Sequence, residues 1–261
     1  MAEFIPIRLA LRLIPLMVQK NLCRKTVGEF ILSQKHFGNA WDNKPVQFGY
    51  DANVDGEVKK YVATFNFTTF TFSIKLSANG YTANQLYKNT VIDEDGNKTI
   101  GFKNGLGRVI LARKVLNGTE NVDTYYVYNN YGLLAYVLSP KTIHEIKNLA
   151  MGASIPDTVL NTLCYQYNYD GQNRLVEKKL PGKGWEYMVY DYADRVIMTS
   201  DTNLAAKNKW MITKYDPFGR VAYTGIIAGG DRLSTQNQAR AYVITESRNQ
   251  TGFTRNGMQM Y

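Results

Sequence analysis

Residues 214–221 read KYDPFGRV, and related stretches return at several points along the chain. Asp216, Pro217 and Gly219 hold the first, second and fourth positions of a turn here. Asp suits the first position because its carboxylate accepts from a backbone N–H two residues on, while Pro presets φ and Gly tolerates positive φ. Arg220 then begins the return strand. The stretch therefore predicts a β-hairpin with a short loop closed at Gly219.

The same turn recurs in altered copies. Four residues before the Arg, or before the residue in its place, stand Asp93, Asn104, Asn129, Asp170, Asp191 and Asp216. The best copies contain Tyr128, Asn129 and Gly132; Tyr169, Asp170 and Arg174; Tyr190, Asp191 and Arg195; and Tyr215, Asp216, Gly219 and Arg220. A spacing of roughly 20 to 25 residues is one hairpin, and the gap from 129 to 170 is close to two such units. A catalytic loop is needed once, so the repetition indicates architecture.

The segments between these turns alternate between apolar and polar residues. Tyr165, Tyr167 and Tyr169 alternate with polar residues, which is typical of a strand with one aromatic face. In residues 61–76 the phase of the aromatic residues slips at residues 68–69, which predicts a tight turn or a bulge. Further hairpin signals are Asp95-Gly96, Asn104-Gly105, Asn117-Gly118, Asp170-Gly171, Pro181-Gly182 and Phe218-Gly219. The predicted fold is mainly β, built from repeated antiparallel hairpins.

A few short helices interrupt this pattern. Residues 141–150 and 156–163 predict two helices, which form an insert at about 141–163 with Pro156 at a first helical position. A third helix is expected from Ser234 onwards. Strands near either end of the β region, at 46–65 and 241–261, are expected to keep unpaired edges.

We divide the chain into an N-terminal segment, 1–44, that is partly helical, and a β region, 45–261. Residues 1–22 are apolar but are interrupted by Arg8 and Arg12. The uncharged run is too short to span a bilayer, and the segment lacks the pattern of a signal peptide. A packed or amphipathic helix and a helix on a membrane surface are both compatible with it.

Composition excludes several classes of site. The formal net charge is +9, but the basic residues are scattered, which favours a solvated surface over specific nucleic-acid binding. Cys23 and Cys164 form neither a disulfide framework nor a zinc pattern, and whether they pair stays open. His36 and His144 have no neighbours at metal-ligand spacing. No metal and no cofactor is predicted.

The turn carboxylates are the obvious catalytic candidates, and they have a simpler explanation. Acid–base catalysis needs carboxylates that converge on one substrate, whereas each turn Asp has a local backbone role. Residues 182–184 and 105–107 lack the other residues of a phosphate loop or a dinucleotide fold. The chain is therefore predicted not to be an enzyme. A hydrolase that uses convergent Asp and Tyr side chains is the alternative from that class.

The repeated Tyr-Asp-x-x-Gly-Arg pattern resembles the YD repeat of the bacterial RHS family. The match is full at residues 215–220, and in the two preceding copies Asn173 and Asp194 stand where Gly is usual. It covers about residues 45–261 and is best at 165–225. The Asp-Pro-rich self-cleavage motif of the family is not found, which implies a fragment of a larger chain.

The resemblance implies a sheet that spirals into a hollow shell. In the family this shell encloses or presents a C-terminal toxin or adhesion domain. The implied partners are the remainder of the same shell and an enclosed toxin domain, with no specific nucleic acid and no transmembrane span. The implied location is secreted or at the cell surface. The chain would then be a structural, non-enzymatic wall segment.

A surface module that binds carbohydrate or cells is the other alternative, because exposed rows of Tyr and Trp suit stacking on sugars. The placement of Trp41, Trp185 and Trp210 separates the two hypotheses. Burial among sheet residues favours the wall, and an open groove lined by these rings favours binding.

Overall fold

The structure is a computed structural model, and it describes residues 25–27, 30–36, 43–66, 71–116, 120–241, 245–247, 252–255 and 258–260. Strands make up 45% of it and helices 13%, and the sheets are antiparallel. The prediction of a mainly β fold built from antiparallel hairpins is therefore confirmed. No helix among the described residues is long and apolar enough to span a membrane.

The chain forms two compact units. The first contains Met1–Gly132 and Val137–Ile155, and the second contains Leu133–Tyr136 and Pro156–Tyr261. The boundary predicted from the sequence lies instead at residue 44. Strands already begin at Lys25, inside the segment expected to be partly helical.

The first unit is built on one sheet and a separate hairpin. Its strands are β1 Lys25–Val27, β2 Phe30–Gln34, β3 Val46–Ala52, β4 Tyr61–Asn66, β5 Thr71–Leu76, β6 Tyr87–Ile92, β7 Lys98–Lys103, β8 Val109–Val115 and β9 Asn121–Tyr128. The sheet order is β1-β2-β3-β6-β7-β8-β9, and β4 and β5 pair with each other in a separate sheet. The turn predicted at residues 68–69 lies outside the described residues, but β4 and β5 flank it as an antiparallel pair.

The unpaired edge expected at residues 46–65 is wrong for β3, whereas β4 has β5 as its one partner among the described strands. β3 pairs with β2 on one side and with β6 on the other. Residues 53–86 contribute no strand to this sheet, so β6, which follows them, is the next strand in the sheet and pairs with β3. A fully buried apolar core accompanies this unit, with Phe102, Leu111, Ile74 and Val58 among its members.

The second unit continues as simple up-and-down hairpins. β10, Leu134–Leu138, contributes residues to both units, and the following strands are β11 Cys164–Tyr169, β12 Leu175–Lys179, β13 Trp185–Tyr190, β14 Val196–Ser200, β15 Lys209–Tyr215 and β16 Val221–Ala228. Each strand from β11 to β15 pairs antiparallel with the next. Near the C-terminus, β17 Phe253–Arg255 and β18 Met258–Met260 pair with each other.

Four helices are described, and their bounds correct the predictions. They are α1 Pro140–Glu145, α2 Asp157–Leu163, α3 Thr202–Ala205 and α4 Arg232–Ala239. Pro156 is the N-cap of α2, with extended φ and ψ, and not its first helical residue. α4 begins two residues before Ser234 because the carboxylate of Asp231 accepts from the Ser234 N–H and caps it. α3 was not predicted, and a helix expected in residues 1–22 lies outside the described residues.

Helix α4 packs on the sheet of the second unit through an apolar cluster and one amide. Ala239 joins Val189, Ile197 and Trp210 in a buried cluster. Gln236 is buried beside them, where its Oε1 accepts from the Tyr190 N–H at 2.9 Å and its Nε2 donates to the Tyr190 carbonyl at 2.8 Å. The side chain thus satisfies both backbone groups of one strand residue, as a neighbouring strand would.

Candidate functional site

The turn that opened the sequence analysis has the predicted geometry. Asp216 Oδ1 accepts from the N–H of Phe218 at 2.9 Å, and Gly219 has φ 79°. Gly219 N donates to the Asp216 carbonyl at 3.0 Å, and Asp216 N donates to the Arg220 carbonyl at 2.8 Å. Asp216 Oδ1 also accepts from Arg220 N at 2.9 Å, a bond that the sequence analysis does not predict.

All six recurring turns use this arrangement. In each, Oδ1 of the first residue accepts from the N–H two residues on, at 2.9 to 3.1 Å. A second bond comes from the N–H four residues on, at 2.8 to 3.0 Å, in the turns that begin at Asp93, Asn104, Asp170, Asp191 and Asp216. A carboxylate and an amide form this turn equally well, because both backbone hydrogen bonds use a single side-chain oxygen.

The fourth position of every turn is left-handed. The φ values are 84° at Gly96, 75° at Gly107, 76° at Gly132, 62° at Asn173, 58° at Asp194 and 79° at Gly219. Asn and Asp are the residues besides Gly that enter this region most readily, so the two departures from the motif keep its backbone. The hairpin signals at Asn104-Gly105 and Asp170-Gly171 mark real turns, but positive φ falls at Gly107 and Asn173 instead.

In the turns that begin at Asp170, Asp191 and Asp216, the second oxygen of the Asp binds the Arg. Arg174 Nε donates to Asp170 Oδ2 at 2.8 Å, and Arg195 Nη2 donates to Asp191 Oδ2 at 2.6 Å. Burial pushes the pKa of Asp170 upward, but the hydrogen bonds from the Arg174 N–H and guanidinium outweigh it, so this pKa lies below its ordinary value. Asp191 is fully buried, so the Arg195 side chain provides a cationic partner for its carboxylate inside the protein.

Successive turns are joined by what we call rungs. In a rung, the Tyr before one turn donates its Oη to the carbonyl of the residue just after the Arg position of the preceding turn. The rungs are Tyr128 to Val109 at 3.1 Å, Tyr169 to Leu134 at 3.0 Å, Tyr190 to Leu175 at 2.7 Å and Tyr215 to Val196 at 2.8 Å. Burial raises the pKa of Tyr190 further above neutral pH, so its hydroxyl stays protonated. The sequence pattern marks these Tyr residues but predicts no contact for them.

Three rungs also place the Arg of the preceding turn against the Tyr ring. The distance from guanidinium carbon to ring centre is 4.7 Å for Arg174 and Tyr190 and 4.7 Å for Arg195 and Tyr215. It is 5.6 Å for Arg108 and Tyr128. These distances lie within the range of cation–π attraction. In the Tyr169 rung the Arg position is occupied by Leu133, so the preceding turn supplies no guanidinium there.

The turn at Asp93 explains the shortest gap in the repeat. It joins β6 to β7, whereas the turn at Asn104 joins β7 to β8, so the two lie at opposite ends of the strands. Asn97 takes the role of the Arg there, with its Nδ2 donating to Asp93 Oδ2 at 2.9 Å. The longest gap, from 129 to 170, holds one hairpin with a helical insert and not two units, because only β10 and β11 lie within it.

The tryptophans give little support to a stacking surface. Trp210 is buried, and its Nε1 donates to the Gly230 carbonyl at 3.0 Å. Trp185 is half-buried beneath Lys179, whose Nζ lies 5.8 Å from the ring centre. Trp41 lies outside the described residues. Trp210 also lines a cavity of about 450 Å³ in the second unit, together with an ion pair of Glu177 and Arg232 at 2.9 Å.

Comparisons with known proteins find likeness only among solved structures. No family model matches the chain, and no curated protein matches it. One similar structure is the Photorhabdus luminescens Tc holotoxin pore, at 11% identity and a TM-score of 0.41, covering 80% of this chain and 12% of that chain. Another is a crystal structure of TcdB2-TccC3-TEV, at 12% identity and a TM-score of 0.39, covering 85% and 13%. The chain thus spans about an eighth of either toxin chain, and these values are too low to carry function across.

Proposed function

We propose that the chain is a non-enzymatic wall segment of an RHS-type β shell. The single observation that carries this proposal is the ladder of turns and rungs, in which the turns at Asn129, Asp170, Asp191 and Asp216 are each bonded to the turn before them. A wall needs such a repeated connection between neighbours, whereas a binding or catalytic site needs one convergent set of groups.

The contacts that the turn carboxylates make support the same proposal. Asp170 and Asp191 accept backbone N–H groups through one oxygen and an Arg through the other. A carboxylate engaged on both oxygens is poorly placed to take a proton from a substrate. We therefore propose no catalytic role for them.

Partners and location follow from the sequence resemblance and form part of the proposal. The wall would meet further repeats of the same shell and would surround an enclosed toxin or adhesion domain. The assembly would be secreted or displayed at the cell surface. The carbohydrate-binding alternative gains no support from Trp210, which is buried.

The test is electron cryo-microscopy of the protein purified from the cells that produce it, combined with protease digestion. We expect a hollow β shell with polypeptide inside that resists trypsin until the shell is opened. A compact particle that encloses nothing would contradict the wall. Hydrolytic turnover abolished by Asp191→Asn, with the fold retained by circular dichroism, would favour the hydrolase instead.

A further inference from the structure

The last strand in the sheet order of the second unit lacks the usual protection of an edge. Among the described residues, β16 pairs only with β15. It is eight residues long, and its sequence VAYTGIIA contains no charged residue and no Pro. Val221 and Ile226 expose 59% and 62% of their surface. Edge strands in soluble proteins are normally short, charged or interrupted by Pro, so β16 has the features of a strand that accepts a neighbour.

The rungs show what such a neighbour supplies elsewhere in this unit. β14 begins at Val196, directly after Arg195, and β15 lies antiparallel beside it and ends in Tyr215. The Tyr215 ring covers Arg195 at 4.7 Å and its Oη donates to the Val196 carbonyl at 2.8 Å. β12 receives Tyr190 from β13 in the same way, at Leu175.

β16 starts in the same way as β14, with an Arg that ends the turn and a Val directly after it that begins the strand. Val221 follows Arg220 as Val196 follows Arg195. The Arg220 side chain is 76% exposed, pairs with Asp216 and lies 5.3 Å from the Phe218 ring of its own turn. In the described part of the chain, no later Tyr reaches it. The acceptor half of a rung is therefore present at this edge.

We propose that the outer edge of β16 binds an added antiparallel strand that ends in Tyr. The Tyr ring packs over Arg220 and its Oη donates to the Val221 carbonyl, while backbone hydrogen bonds pair the strand with β16. The occupant is an extended polypeptide in which Tyr is followed by Asp or Asn. The inference rests on the proposed wall function and deepens it, because a further repeat of the shell is a strand of this kind and β16 is the edge that would bind it.

The probe is a labelled peptide with the sequence of residues 209–220, KWMITKYDPFGR, titrated with the full chain and followed by fluorescence anisotropy. Matched peptides carry Tyr215→Phe and Tyr215→Ala. We expect the Phe peptide to bind about 5-fold more weakly, since one hydrogen bond is lost. The Ala peptide, which also loses the ring, should bind more than about 10-fold more weakly.

Variants of the full chain identify the edge. Arg220→Ala should weaken binding of the parent peptide by about 3-fold or more, because the cation under the ring is removed. Arg240→Ala is the matched control, since this exposed residue follows α4, which packs on β13 away from the edge. Should Arg220→Ala fail to fold by circular dichroism, Arg220→Glu serves instead. A peptide that displaced β15 would place its Tyr at Arg195 and would be insensitive to Arg220.

Hydrogen exchange supplies the second readout. Bound peptide should slow exchange in residues 221–228. Equal binding of the three peptides, or full binding to Arg220→Ala, would overturn the proposal. So would sedimentation showing that copies of the chain already pair through β16, with residues 221–228 protected before peptide is added. Neither result bears on whether the chain lines a shell, which the microscopy tests separately.

Discussion

The two units use an amide version and a carboxylate version of the same turn in different proportions. In the first unit the turns at Asn104 and Asn129 begin with an amide and the turn at Asp93 with a carboxylate, and in the second the turns at Asp170, Asp191 and Asp216 all begin with a carboxylate. The bond to the N–H two residues on is 3.0 Å in both amide turns and 2.9 to 3.0 Å in the carboxylate turns of the second unit. The backbone of the turn therefore needs one oxygen and no charge.

The second oxygen has a different role, which the comparison isolates. Arg174 and Arg195, each held by the Asp of its own turn, lie 4.7 Å from the next Tyr ring. Arg108 follows an Asn turn and lies 5.6 Å from its ring. The carboxylate thus holds the Arg close to the next repeat. The Tyr169 rung, with Leu133 in the Arg position, keeps its hydrogen bond at 3.0 Å, so the hydroxyl contact does not need the cation.

The largest expected difference between the two versions comes from removing the first side chain of the turn. Asp191→Ala should lower the free energy of unfolding by about 3 kcal/mol, because it leaves two N–H groups and the Arg195 guanidinium without their partner. Asn104→Ala should cost about 1 kcal/mol, since no ion pair is lost. Urea denaturation of both variants checks this, and equal losses would show that the Arg contributes nothing.

The second-largest loss of stability should come from a substitution at the turn position with positive φ. Gly219→Val should destabilise the chain by about 1 to 2 kcal/mol, because a β-branched residue resists positive φ. A Cβ at Gly219 would meet no atom within 4 Å, so the effect is one of backbone conformation alone. Gly171→Val, in the second position of a turn with equally open space, is the control and should cost less than half as much. Thermal melts by circular dichroism measure both.

Rung variants separate the hydroxyl from the cation. Tyr190→Phe and Tyr169→Phe should each cost about 1 kcal/mol, because a backbone carbonyl loses its donor in both. Tyr190→Leu and Tyr169→Leu remove the ring as well as the hydroxyl. This additional loss should be about 0.5 to 1 kcal/mol larger at Tyr190 than at Tyr169, because Arg174 packs on the Tyr190 ring. Chemical denaturation of the four variants is the measurement. An equal extra loss at Tyr169 would mean that ring packing, and not the cation, explains the difference.

The smallest effect is a dependence on pH. The folded pKa of Asp170 lies below its ordinary value, so its contribution to stability is present above the unfolded pKa of about 3.9 and is lost as the pH falls through the folded value. Asp170→Asn keeps the Oδ1 bonds and should be less stable than the parent at pH 7. This gap should narrow below about pH 4. Urea denaturation from pH 7 to pH 3 tests it, and Asn104→Ala should keep a constant offset.

Local chemistry explains which of these features could be predicted from the sequence. The turn at Asp216 was predictable because Asp, Pro and Gly act within four residues. The equivalence of Asn173 and Asp194 to Gly was not, since the same residues also occupy ordinary conformations. The rungs join residues about 20 apart, so their geometry depends on strand register, which no short motif specifies. The unprotected edge at β16 depends on which strands meet, and that is a property of the whole sheet.

The two ends of the strands in the second unit should differ in how well they tolerate inserted sequence. The turns at Asp170, Asp191 and Asp216 share one end of the strands, and each spans the same five positions from Asp to Arg. At the other end the connections differ, with a tight turn at 180–184 and helix α3 with its flanks at 201–208. A rung fixes both the length and the ending of the strands that it joins. An inserted epitope tag or whole domain should therefore leave the fold intact at residues 206–208 and disrupt it at residues 217–218. The repeat thus has one side along which the protein can acquire new segments without losing its strand register.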